Sequence, residues 1–180
     1  PVSWTDIQGL LPHLPEPLAN LIQLHWWTAA RPCEVVQINH AHITKSSANL
    51  WLWNLKDHKN MWRGQERILF LNSKCINILQ TITPANSGYF FPSAKNKSGF
   101  ISRLTYQRQV KKNIMKKSIN GIINNPEWTI RGIRNGRARA MQQLHGLEAT
   151  RVLLGHNDQR MTSHYAGLSI PSPEFIYQLE

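Results

Sequence analysis

Tyr165 stands nine residues after His156 in the run Leu153-Leu154-Gly155-His156-Asn157-Asp158-Gln159-Arg160-Met161-Thr162-Ser163-His164-Tyr165. A phenol is a competent nucleophile when cations stabilise what it attacks. Cations are at hand in the upstream box Arg131-Gly132-Ile133-Arg134, in Arg31 and in Lys59. The planar guanidinium fork matches two oxygens of one phosphate, which an ammonium cannot do. Arg131 and Arg134 are three apart on an expected helix and share a face, and Arg137 follows three further on. A face of arginines repels itself unless it meets an anion. His40 and His42 form the only close histidine pair, with no further acid or thiol ligands beside them, so neither a metal nor a cofactor is expected. A nucleophile with several phosphate-gripping cations is the set needed to cut a phosphodiester through a covalent protein–DNA link.

The charge distribution points to the same partner. The chain carries a formal net charge of +11, which is costly in self-repulsion unless a polyanion is bound. Between Lys95 and Arg139 there are twelve Lys and Arg against one acid, Glu127, so this segment supplies the whole excess. Its first part, with Lys95, Lys97, Arg103, Arg108, Lys111, Lys112, Lys116 and Lys117, is expected to bind backbone phosphates of double-stranded DNA, together with Arg137. Such contacts position a protein and do not read sequence.

The 180 residues fit one domain with a real core. Cys33 and Cys75 are too few for a disulfide framework, so a reducing compartment, the cytoplasm, is expected. No apolar run approaches the roughly eighteen residues of a membrane span, and no signal peptide is visible. The chain opens on Pro1 without a methionine, which fits an excised domain.

The elements that must carry these residues are mostly helical. Ser3-Trp4-Thr5-Asp6 reads as a capping box, and Pro12, Pro15 and Pro17 then interrupt the chain. Residues 17–30 read as an amphipathic helix with Leu18, Leu21, Ile22, His25 and Trp26 on one side. Pro32 suits the first position of a new helix after Arg31. Residues 50–55 and 67–71 read as strands around a polar hairpin loop that holds Lys59 and Trp62. Further helices are expected near 73–82, 101–117, 128–144, 147–154 and 159–167. The fold class is mainly α (α+β), with a small three-stranded antiparallel sheet.

Five of these segments, in order and at matching spacing, resemble the catalytic domain of the tyrosine recombinases, the phage-integrase family. Thr28 to Val35 resembles the first arginine box, with Arg31 as its arginine and Glu34 as the acid three residues on. His58-Lys59 through Leu69 resembles the hairpin that carries the family's lysine, and Arg131-Gly132-Ile133-Arg134 occupies the His-x-x-Arg box. Leu153-Leu154-Gly155-His156 is the Leu-Gly-His box, and Tyr165 stands at the nucleophile's distance from it. Each box is weak alone; five in register are not. The family's separate amino-terminal DNA-binding domain has no counterpart here, and Arg131 departs from the usual histidine. An arginine stays protonated, so it cannot take the tyrosine's proton, though it can donate to phosphate.

The resemblance implies that Tyr165 attacks a DNA phosphate to give a 3′-phosphotyrosyl link, with no metal or ATP. Arg31 and Arg134 then clamp the non-bridging oxygens, and Lys59 protonates the leaving 5′-oxygen. Arg131 donates to the phosphate, His156 donates to it or helps orient Tyr165, and Glu34 orients the arginines or braces the helix. It implies a homotetramer on DNA from a protein that can be monomeric alone, with the tail 166–180 reaching a neighbouring subunit. A catalytically impaired DNA-binding relic and a type IB topoisomerase share these boxes and stand as alternatives. A basic RNA-binding module is disfavoured, since no aromatic-rich sheet motif is present.

Overall fold

The computed structural model describes residues 2–56, 67–119 and 129–154, without the side chains of 117–119 and 148. Among the described residues six α-helices and three strands run in the order α1 (Trp4–Leu10), α2 (Glu16–Thr28), α3 (Pro32–Val35), β1 (Ile43–Lys45), β2 (Trp51–Leu55), β3 (Arg67–Leu71), α4 (Ser73–Thr81), α5 (Arg103–Ile119) and α6 (Ile130–Leu154). The chain is mainly helical with one small antiparallel sheet, the class read from its sequence.

Local chemistry sets the helix starts. Ser3 Oγ accepts from the Asp6 amide at 3.1 Å while Asp6 Oδ2 accepts from the Ser3 amide at 3.1 Å, so two amides that open α1 are satisfied reciprocally. Asn72 caps α4 by accepting from the Cys75 amide, and Ser102 opens α5 by accepting from the Thr105 amide. Within α6, Gly146 adopts φ 80° and ψ −178°, so the helix is two pieces meeting at one residue. That break falls between the two helices expected over 128–144 and 147–154.

Helix α2 is the axis of the domain. It buries Leu18, Ala19, Leu21, Ile22, Leu24, His25, Trp26 and Thr28, and it contacts α1, α3, α4, α5, α6 and β3. This is wider burial than the single apolar side expected, because helices cover it from several directions. The strands lie in the order β1-β2-β3, with Trp53 opposite Leu69 and Trp51 opposite Leu71. Their inward positions Trp51, Trp53, Leu55, Arg67, Leu69 and Leu71 are all buried. Period two therefore puts Arg67 on the core face, in phase with two leucines. The start of the chain crosses α6: the Val2 amide donates to the Gly132 carbonyl at 3.2 Å. A Cβ on Gly136 would stand 1.8 Å from the Val2 carbonyl oxygen, so only glycine permits that crossing.

Burial also makes the fold acid-sensitive. His25 is fully buried with Nδ1 3.0 Å from the Tyr106 hydroxyl. Burial, helped by the nearby Arg134 charge, lowers its pKa to about 3. The folded chain thus keeps this imidazole neutral where the unfolded chain takes up a proton, below its ordinary value of 6.5. Stability contributed here is present above about pH 6.5 and is lost as pH falls toward 3, at about 1.4 kcal/mol per pH unit. Urea unfolding between pH 6.5 and 5 should show that slope, and His25→Gln should flatten it. A parent as stable at pH 5 as at 6.5 would contradict the assignment.

Candidate functional site

Arg31, Arg131 and Arg134 meet at one open cleft of about 570 Å³, which Pro32, Cys33, Arg103, Gln107, Thr129, Ile130 and Asn135 also line. Three elements build it: the start of α3, the start of α5 and the first turns of α6. Arg31 occupies the N-cap position of α3, followed by Pro32 at the first helical position. The Glu34 carboxylate turns back on it, with Oε2 accepting from the Arg31 amide at 2.7 Å and Oε1 from Arg31 Nη1 at 2.6 Å. This pins the backbone and the guanidinium of Arg31 from one buried group.

Glu34 is held from a second side by Arg67. Arg67 Nη2 donates to Glu34 Oε2 at 3.1 Å, and Nε stands 3.0 Å from Oε1. Burial alone would raise the Glu34 pKa. The Arg67 charge and the Arg31 hydrogen bonds outweigh that and hold the carboxyl below its ordinary range. Arg67 Nη1 also donates to the Leu154 carbonyl at 2.9 Å. Arg134 reaches that carbonyl with Nη2 at 3.2 Å, and its Nη1 donates to the carbonyl of Ala29. Ala29 ends α2 in the left-handed region at φ 47°, which presents its carbonyl to Arg134.

The electrostatics are those of an anion site. Arg31 and Arg67 flank the single Glu34 carboxylate, and Arg134, Arg131 and Arg103 add charge at the cleft wall. Burial first, and then the Arg67 and Arg31 charges against the pull of Glu34, bring the Arg134 pKa down to about 10. A phosphate in the cleft would relieve that excess, and preorganised donors stabilise charge best where water is scarce. Arg131 is exposed on the cleft side of α6. Among the described residues no three His, Cys, Asp or Glu side chains group in a way that could hold a metal. Cys33 and Cys75 are free thiols, the first exposed and the second buried.

Of the expected DNA contacts, Lys95, Lys97, Arg103, Arg108, Lys111, Lys112 and Lys116 are exposed. On α5, Arg108, Lys111, Lys112 and Lys116 lie off the buried row Tyr106, Val110 and Ile114, while Arg103, in phase with that row at the helix start, lines the cleft. Arg137 is a correction. It is only 3% exposed, with its guanidinium carbon 4.9 Å from the Trp27 ring centroid and 5.9 Å from that of Trp26. It packs inside the domain and does not share the outward face of Arg131. Burial lowers its pKa to about 10. Lys59, Trp62, His156 and Tyr165 lie outside the described residues, as does the Lys117 side chain. Arg67 was not among the expected site residues, although its alternation with Leu69 and Leu71 marks it as an inward charge that must meet a partner.

No protein-family profile and no curated protein matches the chain. Solved structures do. An integrase from mycobacterium phage Brujita matches with a TM-score of 0.66 and 17% identity, over 100% of this chain and 57% of its own. XerA recombinase matches with a TM-score of 0.64 and 16% identity, over 93% of this chain and 60% of its own. XerH site-specific recombinase, in a pre-cleavage complex with its difH substrate, matches with a TM-score of 0.63 and 14% identity, over 96% of this chain and 51% of its own. The chain thus spans between 51% and 60% of those three proteins, and the likeness is one of fold.

Proposed function

We propose that this chain, which has the fold of the site-specific recombinases and integrases, is the catalytic domain of a DNA strand-breaking and rejoining enzyme. The observation that carries the reading is the convergence of Arg31 and Arg134, far apart in sequence, on one cleft with Arg131 and Arg103. Tyr165 attacks the scissile phosphate there. A 3′-phosphotyrosyl bond forms as the bond to the 5′-oxygen breaks, and Lys59 gives that oxygen its proton. The phosphotyrosine keeps the bond energy, so a 5′-hydroxyl rejoins the strand without ATP. Arg31, Arg131, Arg134 and His156 donate to the phosphate oxygens, where charge builds in the transition state. Glu34 holds Arg31 in place for that task. The DNA-bound state is a homotetramer joined through the tail 166–180.

The test is a nicked duplex drawn from the ends of the chain's own genetic element. The fragment beyond the nick diffuses away after cleavage and traps the covalent link, which a denaturing gel displays as a shifted protein band. Arg131, standing where the family has histidine, favours a second reading: a DNA-binding relic of the same fold. Tight duplex binding with no covalent band would select it.

Binding itself has a salt signature. Each neutralised phosphate contributes roughly −0.9 to the slope of log affinity against log salt, so about six contacts give roughly −5. Replacing Lys111, Lys112, Lys116 and Lys117 together with Gln should make the slope shallower by up to about 3.6 units. Fluorescence anisotropy over a salt series measures it. An unchanged slope would put this face of α5 away from DNA.

A further inference from the structure

We propose that Arg67 is a positioning residue of the active site: it ties the carbonyl of Leu154 to the carboxylate that holds Arg31, and so fixes both phosphate-binding arginines in one geometry. This rests on the recombinase reading. Arg67 is the first residue of β3 and is 5% exposed. One edge of its guanidinium faces Glu34, at 3.1 Å and 3.0 Å, while Nη1 reaches the Leu154 carbonyl at 2.9 Å. Arg134 donates to the same carbonyl at 3.2 Å. The connections run Arg31, Glu34, Arg67, Leu154, Arg134.

The parts suit the task. Leu154 is the last described residue of α6, and its carbonyl accepts from both guanidiniums. Two guanidiniums on that oxygen satisfy it and hold that part of α6 against β3. The backbone leaving that carbonyl leads within two residues to His156. A displacement of Leu154 therefore reaches Arg134 directly, and reaches Arg31 through Arg67 and Glu34. A lysine in place of Arg67 keeps a charge beside Glu34 but cannot span a carboxylate and a carbonyl with one planar group.

Arg67→Lys should fold and bind the duplex with a Kd within about threefold of the parent. Single-turnover cleavage at saturating DNA should fall by about 10–100-fold, the usual cost of losing a partner that orients an active group. Hydrogen exchange should quicken in the peptide covering 152–157 and stay unchanged in α2 and α4. A role in packing alone would loosen α2 as well, and a role in gripping DNA would weaken binding in step with rate. Cleavage within threefold of the parent, or unchanged exchange at 152–157, overturns the proposal. If the parent forms no covalent adduct, the recombinase reading fails while the exchange result still decides whether Arg67 positions this segment. Should Arg67→Lys not fold, the pair Glu34→Gln/Arg67→Met removes both buried charges together. Parental exchange at 152–157 in that pair overturns the proposal, and faster exchange confined to it supports the proposal.

Discussion

Tyr165→Phe is expected to abolish the covalent DNA adduct and leave duplex affinity within about twofold. The substitution deletes one oxygen and no charge, so the cationic surface of α5 and the arginine cleft stay as they are. Binding by that surface depends on counterion release from phosphates, to which a neutral phenol contributes nothing. The Phe variant lacks the attacking oxygen outright, so the loss is complete within detection and exceeds that from deleting any single donor. A suicide duplex resolved on a denaturing gel, beside anisotropy on the same duplex, separates the two quantities. A shifted band that persists in the Phe variant would move the nucleophile elsewhere. Loss of binding with loss of the band would mean that Tyr165 supports the fold.

The element pattern was legible because its signals are local. The Ser3 and Asp6 capping pair, Pro32 at a first helical position and the alternation in Trp51–Leu55 each act within a few residues. Gly146 breaks α6 where the sequence shows a gap between two helical runs. Arg137 was misread because spacing by threes does not follow the helix. At 3.6 residues per turn, two steps of three rotate about 120° away from Arg131. Arg137 instead falls four residues after Ile133 and four before Met141, both buried, and so belongs to the core row. The indole faces of Trp26 and Trp27 take its charge there, an arrangement set by tertiary contact between α2 and α6.

Arg67 shows the opposite error. Its phase with Leu69 and Leu71 was readable, but its partners were not: Glu34 and Leu154 lie far away in the chain and meet it only once β3 packs beside α3 and α6. Glu34 could be paired with Arg31 at three residues' distance, so half of the network was local and half was topological. Lys59, His156 and Tyr165 stand on their boxes and their spacing, since the described residues end at Leu154 on one side and leave out 57–66 on the other.

Arg31→Ala and Arg134→Ala should each slow cleavage by on the order of 10²–10³, the effect of losing one preorganised donor to a developing charge. Their stability costs should differ, and that difference tests the geometry. The Arg31 side chain is 31% exposed, and its partner Glu34 keeps Arg67 when it is removed. Arg31→Ala should therefore lose rate with a Tm close to the parent's. Arg134 instead supplies donors to the carbonyls of Ala29 and Leu154. Removing it strips a partner from the Ala29 carbonyl, at about 1–3 kcal/mol for an unsatisfied group, while the Leu154 carbonyl keeps Arg67. In a chain of this size 1 kcal/mol moves Tm by roughly 2–4 °C, so Arg134→Ala should melt clearly lower. Duplex affinity should fall by far less than the rate in both, because many exposed cations on α5 remain. Equal losses of rate and affinity would reduce the two arginines to anchors. An Arg31→Ala variant that cleaves at the parental rate would show that the cleft beside α3 is not where the phosphate reacts.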